Sequence, residues 1–169
     1  MFKLDYQIVH SEYDDFIGQN GFFQIECNGY NYGEMYPKAL EEVMDKVSLY
    51  DWFERFIRVV KNLNTRDYVV LSDVESYNIW IEFQRRNQEV QISIVKAEKK
   101  QNSCDIEFVL SGATAGDGVN QVVDYNQFRN EIIHEAGGYV NYITENNAKN
   151  AEIDKIKEKL EDVLKINFN

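Results

Sequence analysis

The chain predicts an α+β fold, an antiparallel meander sheet with helices packed mainly on one face. Three observations carry that expectation. Between Asn78 and Leu110 apolar and polar residues alternate through three short stretches, Ile79-Trp80-Ile81-Glu82-Phe83, Val90-Gln91-Ile92-Ser93-Ile94-Val95 and Ile106-Glu107-Phe108-Val109-Leu110. The connections between them are polar and too short for crossover helices, which makes the pairing antiparallel. Asn28-Gly29 separates two further alternating stretches and suits the positive φ angles of a two-residue hairpin turn. Leu49, Trp52, Phe53, Phe56, Ile57, Val60 and Leu63 recur at helical spacing, so one broad apolar helix face must lie on the sheet.

Taken in chain order, residues 2–10 form an opening strand, and the acidic run Glu12-Tyr13-Asp14-Asp15 forms a loop leading to Asn20-Gly21. The hairpin follows, with Phe22 to Cys27 as its first strand and Tyr30 to Tyr36 as its return. The helix begins at Ser48, whose hydroxyl is placed to accept from the Asp51 amide while the Asp51 carboxylate reaches back to the cap; Val47 packs on Trp52 as a hydrophobic staple. Asn62, Asn64 and Thr65 end it, and Tyr68-Val69-Val70-Leu71 enters the meander. Trp52, Phe56, Val60, Trp80, Ile92 and Phe108 are the expected core.

Beyond the meander, Val119 to Val123 reads as a strand and Asp124 as the cap of a second helix, with Gln127 three residues on. Gly137-Gly138 costs that helix about 1 kcal/mol per glycine relative to alanine, so a bend or break is expected there. A last helix, roughly 148–166, carries Ile153, Ile156, Leu160, Val163 and Leu164 on one face and alternating acids and lysines on the other, as an ordinary surface helix. With one proline, nine glycines and no linker or repeat, residues 1–169 are expected to form a single domain.

A chain of 169 residues buries roughly 70% of the surface its unfolded form exposes, and needs neither a metal nor a disulfide. Cys27 and Cys104 stand apart in strand-like surroundings, which predicts reduced, buried thiols and a cytoplasmic setting. Asp5 interrupts the first residues before a signal-peptide core forms, and no stretch approaches the length of a membrane span. The net charge of −11 repels nucleic-acid phosphates. Arg85-Arg86 and the lysines 96, 99 and 100 are too few to reverse that field and are expected to be solvated turn charges.

Catalytic and metal-binding signatures are weak. His134-Glu135 begins an HExxH pattern, but its second histidine position is Gly138, and only His10 remains elsewhere. The glycine-rich segment from Ser111 to Gly118 lacks the Gly-Lys-Ser/Thr ending of a phosphate loop and runs into a strand rather than a helix. Neither cysteine has a cationic neighbour in sequence to lower its pKa. The expectation is a protein without cofactor, metal or catalytic residues.

Functional content resides instead in tyrosines interleaved with acids. Glu12, Tyr13, Asp14 and Asp15, then Tyr30, Tyr32, Glu34 and Tyr36, are the candidate partner-binding residues. Tyrosine offers a large rigid surface with a hydroxyl, and carboxylates draw a basic partner. The same tyrosines also suit a core-facing strand, and at least one of Tyr30, Tyr32 and Tyr36 is expected to pack inward. Substitutions at Asp14, Asp15 and Tyr32 are expected to leave the fold intact.

The order of Gly21-Phe22-Phe23-Gln24-Ile25, Tyr32-Gly33-Glu34, a helix carrying Asp51-Trp52-Phe53 and an antiparallel meander resembles the small immunity proteins encoded beside bacterial polymorphic toxins, the WapI-like group in particular. The resemblance covers roughly residues 20–145. It implies a cytoplasmic antidote that binds a cognate toxin protein, often a nuclease, and blocks its active site or substrate groove, with no nucleic-acid or membrane partner. The final helix lies outside the resemblance and is read as a structural cap or part of a homodimer contact. A small-molecule-binding or structural α+β domain is the other reading.

Overall fold

The alternation of the strands sorts them into two antiparallel sheets in the computed structural model, which describes residues 1–166. The first sheet holds β1 (Phe2–Ile8), β2 (Asn20–Cys27) and β3 (Tyr30–Glu34) in that order, and the short β4 (Val47–Ser48) pairs with the beginning of β2. The second holds β5 (Tyr68–Ser72), β6 (Ile79–Arg86), β7 (Glu89–Lys96), β8 (Ile106–Glu107), β9 (Thr114–Ala115) and β10 (Gln121–Asp124). Its order is β10-β7-β6-β5-β8, with β9 also on β7. The helices are α1 (Leu49–Leu63), α2 (Tyr125–Asn146) and α3 (Ala151–Leu164).

The Asn28-Gly29 turn behaves as its chemistry demands. Both residues take positive φ, 51° and 85°, and Cys27 pairs directly with Tyr30. Asn28 adds side-chain bonds: its Oδ1 accepts from the N-terminal ammonium, and its Nδ2 donates to the Val122 carbonyl at 3.0 Å. One turn residue therefore joins the start of β1 and an edge of the other sheet to the hairpin.

Helix α1 is the centre of the core. Trp52, Phe53, Phe56, Val60 and Leu63 are buried, and their rings touch both sheets: Trp52 stacks on Phe23 at 4.9 Å between centroids, and Phe56 meets Phe83 edge-on at 6.1 Å. Phe53 stacks on Tyr139 of α2 at 4.6 Å and meets Tyr6 of β1 edge-on at 4.9 Å. Such ring pairs add about 1 kcal/mol each beyond the apolar area they bury. At the α1 amino end Ser48 Oγ accepts from the Asp51 amide, as expected. The reciprocal bond is different: the Ser48 amide donates to Glu75 of the β5–β6 loop, so a residue distant in sequence supplies what Asp51 was expected to give.

Helix α2 runs unbroken through Gly137-Gly138. Phe128, Ile132, Ala136, Tyr139, Val140 and Ile143 are buried along it, and this packing outweighs the glycine cost. The helix also finishes the outer edge of β1, where the Phe2 amide donates to Gln127 and the Leu4 amide to Glu131. An edge strand is thereby closed by side chains instead of another strand. Helix α3, narrower than the expected 148–166, caps α1: Glu54 is ion-paired with Lys159 and, at 3.3 Å, with Arg58. Leu164, expected on the apolar face, is 57% exposed at its end.

The meander departs from expectation at its third strand. Only Ile106 and Glu107 are strand, and they pair with Leu71 and Val70 of β5 rather than with β7. Residues 97–105 thus carry the chain across to the far edge of the sheet. Phe108 is consequently not core; it is 37% exposed, with the Arg66 guanidinium 4.0 Å over its ring. Trp80 is buried, but on the outer face, in a small cluster with Val70, Val95 and Ala97. Two expected surface cations are structural: Arg85 donates to the Leu63 carbonyl at the end of α1 and lies 3.8 Å over the Tyr125 ring, while Lys99 donates to the carbonyls of Asp73 and Ser76.

Truncating Phe53→Ala should cost about 4 kcal/mol in urea denaturation, because a fully buried ring shared by two helices and the first sheet leaves a cavity; a loss under about 1 kcal/mol would show that α1 is not the centre of the core. A second outcome concerns Glu135, whose pKa is raised first by burial and then by the Glu131 carboxylate. The folded chain holds this proton more tightly than the unfolded one, so the contribution is fully present at acid pH and is lost as pH rises through the raised value. Glu135→Gln should therefore raise the melting temperature at neutral pH and lose that advantage below about pH 4. An equal increment at both pH values would exclude the charge as its cause.

Candidate functional site

The first sheet is notched at Phe22. Along one edge of β2 the pairing with β3 ends at Phe23 and Glu34, and the pairing with β4 starts at Gly21 and Val47. Residues 35–46 loop outward between these points, so Phe22 has no strand neighbour on that side. A groove of about 480 Å³ opens there, between this edge and the β5–β6 loop.

Aromatic rings form its base. Phe22 is buried under Tyr36, which meets it edge-on at 4.9 Å, and the stacked pair of Phe23 and Trp52 lies alongside. Gly33 lets β3 reach this position: its φ is +84°, and a Cβ there would stand 2.3 Å from the Phe23 carbonyl oxygen. Carboxylates form the walls. Glu34, Asp45 and Glu75 are exposed, Asp73 is 5% exposed, and no Lys, Arg or His is among the lining residues.

Asp73 is a structural hub. Its Oδ1 accepts from the amides of Glu75 and Ser76 at 2.7 and 2.6 Å, and its Oδ2 accepts from the Tyr32 hydroxyl. Behind it Arg55 donates to the carbonyls of Ser72 and Asp73 and pairs with Asp105 at 3.2 Å. Burial first, then the hydrogen bond to Asp73 and its charge, push the Tyr32 pKa far up, so the hydroxyl stays a donor through the alkaline range. The bond joins β3 of one sheet to the end of β5 of the other.

The candidate residues divide by place. Tyr32, Glu34 and Tyr36 line the groove. Tyr30 does not; it packs against Gly118 and borders a small apolar space between the sheets. Glu12, Tyr13, Asp14 and Asp15 lie in the β1–β2 loop and do not line the groove. Tyr13 is 86% exposed, whereas the Asp14 carboxylate accepts from the Ser11 amide and from Asn20 Nδ2. The Asp14 carboxylate and the Tyr32 hydroxyl are thus engaged in hydrogen bonds within the fold, so substitutions there are expected to cost stability as well as surface. Asp45, Asp73, Glu75 and Trp52 were not recognised as site residues; the acidic turn Ser72-Asp73-Val74-Glu75-Ser76 after an apolar strand was the available signal.

Elsewhere the chemistry is sparse. Burial pushes the Cys27 thiol up to about 11, while Cys104 is exposed in a loop and not within a strand as expected. The His134 side chain is exposed beside Glu135. Among the described residues no three of His, Cys, Asp and Glu are placed to hold a metal ion, and no helix is long and apolar enough to cross a membrane. Comparison with protein-family models, with curated proteins and with solved structures returns no match.

If Asp73 holds the groove wall, Asp73→Ala should cost about 3 kcal/mol by urea denaturation, since two amides and the Tyr32 hydroxyl lose a charged acceptor. Tyr32→Phe should cost about 1.5 kcal/mol, and the double variant much less than the sum. Strict additivity would disprove the coupling.

Proposed function

We propose that this chain is an immunity-type protein of the cytoplasm, which binds a cognate bacterial toxin domain and neutralises it through an acidic, tyrosine-bearing surface. The observation that supports this most is the groove at Phe22: aromatic surface for affinity, bordered by carboxylates, with no Lys, Arg or His among its lining residues and with the nearby Arg55 and Lys99 engaged on backbone carbonyls of residues 72, 73 and 76. That combination suits a basic protein surface such as a nuclease groove, where fields steer encounter and buried aromatics slow dissociation. The likeness in residue order to WapI-like immunity proteins points the same way. Inhibition of this kind acts by stoichiometric complementarity, without turnover, metal or cofactor.

The proposal is tested by co-purification with proteins expressed from the same locus, and by protection of cells producing the toxin domain. Glu34→Lys should slow association about tenfold at low salt and flatten its salt dependence, whereas Tyr36→Ala should speed dissociation and cost about 2 kcal/mol of binding. Circular dichroism separates binding from folding. Full protection by the Glu34→Lys/Tyr36→Ala variant would remove this face from the interface; a locus without any toxic or binding protein would favour the small-molecule reading, whose pocket sizes, about 300–1,000 Å³, include this groove.

A further inference from the structure

We propose that the groove at Phe22 is a socket for a single arginine side chain, presented by an extended basic segment of the partner; the assignment rests on the toxin-binding reading and names what the groove would take. Charge complementarity commits it to a cation. Several acids elsewhere are paired with cations within the fold: Asp5 with Lys3, Glu54 with Lys159 and Arg58, Glu152 with Lys155, Asp162 with Lys61. In the groove, Asp73 spends its oxygens on Tyr32, Glu75 and Ser76, and Glu75 gives one to Ser48. The Glu34 and Asp45 carboxylates make no hydrogen bond or ion pair with any described residue. They stand on the two ends of the 35–46 excursion, on opposite sides of the notch, and are the acceptors left for a ligand.

The aromatic base selects among cations. A guanidinium is planar, weakly hydrated and able to stack on a ring while its edge donates to carboxylates, whereas an ammonium is a compact, strongly hydrated point charge. Tyr36 is half-buried and is the more accessible ring, while Trp52 beside it is 4% exposed, so a stem of methylenes would run over apolar surface with its charged head among the acids. A bare divalent ion is a poorer fit, because among the described residues no three carboxylates converge on one point. The open edge of β3, whose Asn31 and Gly33 are exposed, offers room for the segment that carries the arginine.

The test uses the full chain, isotope-labelled for amide and indole nitrogen spectra, titrated with acetyl-Gly-Arg-Gly-amide, its neutral citrulline counterpart and the lysine version at physiological salt. Shifts from the arginine peptide should centre on Phe22, Tyr36 and the Trp52 indole, with the citrulline peptide about tenfold weaker and the lysine peptide weaker by a smaller factor. Glu34→Gln/Asp45→Asn, which breaks no internal bond, should weaken the arginine peptide by at least about fivefold. Shifts spread over the charged face of α3 and the Glu12–Asp15 loop, or equal binding of arginine and citrulline, would overturn the socket whatever any toxin does. Seating of the peptide in the groove together with failure of every locus protein to bind would uphold the socket and sink the immunity reading.

Discussion

The constraint on which the rest of the structure depends is the aromatic face of α1, set between two sheets that share no backbone ladder. Trp52 against Phe23 and Phe56 against Phe83 hold the sheets at a common distance, and Phe53 carries the same packing into α2 through Tyr139. A backbone ladder constrains strands only within its own sheet; here side-chain volume sets the relation between sheets. The ends of α1 are tied to the same two layers, Ser48 to Glu75 and the Leu63 carbonyl to Arg85. The helix therefore cannot slide without breaking polar contacts at both ends.

What was legible in the residues was local. The Asn28-Gly29 turn, the span and cap of α1, the cap of α2 at Asp124 and the β6–β7 hairpin follow from turn chemistry and periodicity. The division into two sheets and the pairing of β8 with β5 were not legible, because alternation marks a strand's faces and says nothing of which edge it joins. Phe108 shows the cost: an apolar residue in a good strand pattern became a surface ring under Arg66 once its strand ended two residues in. The glycine pair in α2 failed to interrupt it for the converse reason, tertiary burial on the same helix exceeding a local penalty.

The candidate site was half legible for a related reason. Tyr32, Glu34 and Tyr36 stood out as alternating tyrosines and acids, although the strand itself ends at Glu34 and Tyr36 lies just beyond it. The opposing wall comes from the β5–β6 loop, some forty residues later, and its key residue, Asp73, is a short-range turn former whose second oxygen happens to meet a tyrosine of the other sheet. Composition treats Asp73 and Asp14 alike as acidic surface. The folded chain uses both as internal hydrogen-bond acceptors and leaves Glu34 and Asp45 facing open space.

The Tyr32 to Asp73 bond has a consequence for the thermodynamics of anything that enters the groove. The walls belong to separate sheets, yet they are clasped before a ligand arrives, so little conformational freedom remains to be surrendered on association. A heat-capacity change on binding would then report mainly the apolar surface covered, free of a folding contribution from the host. The groove is a preformed receptacle whose shape is maintained by one half-buried hydroxyl and one buried carboxylate.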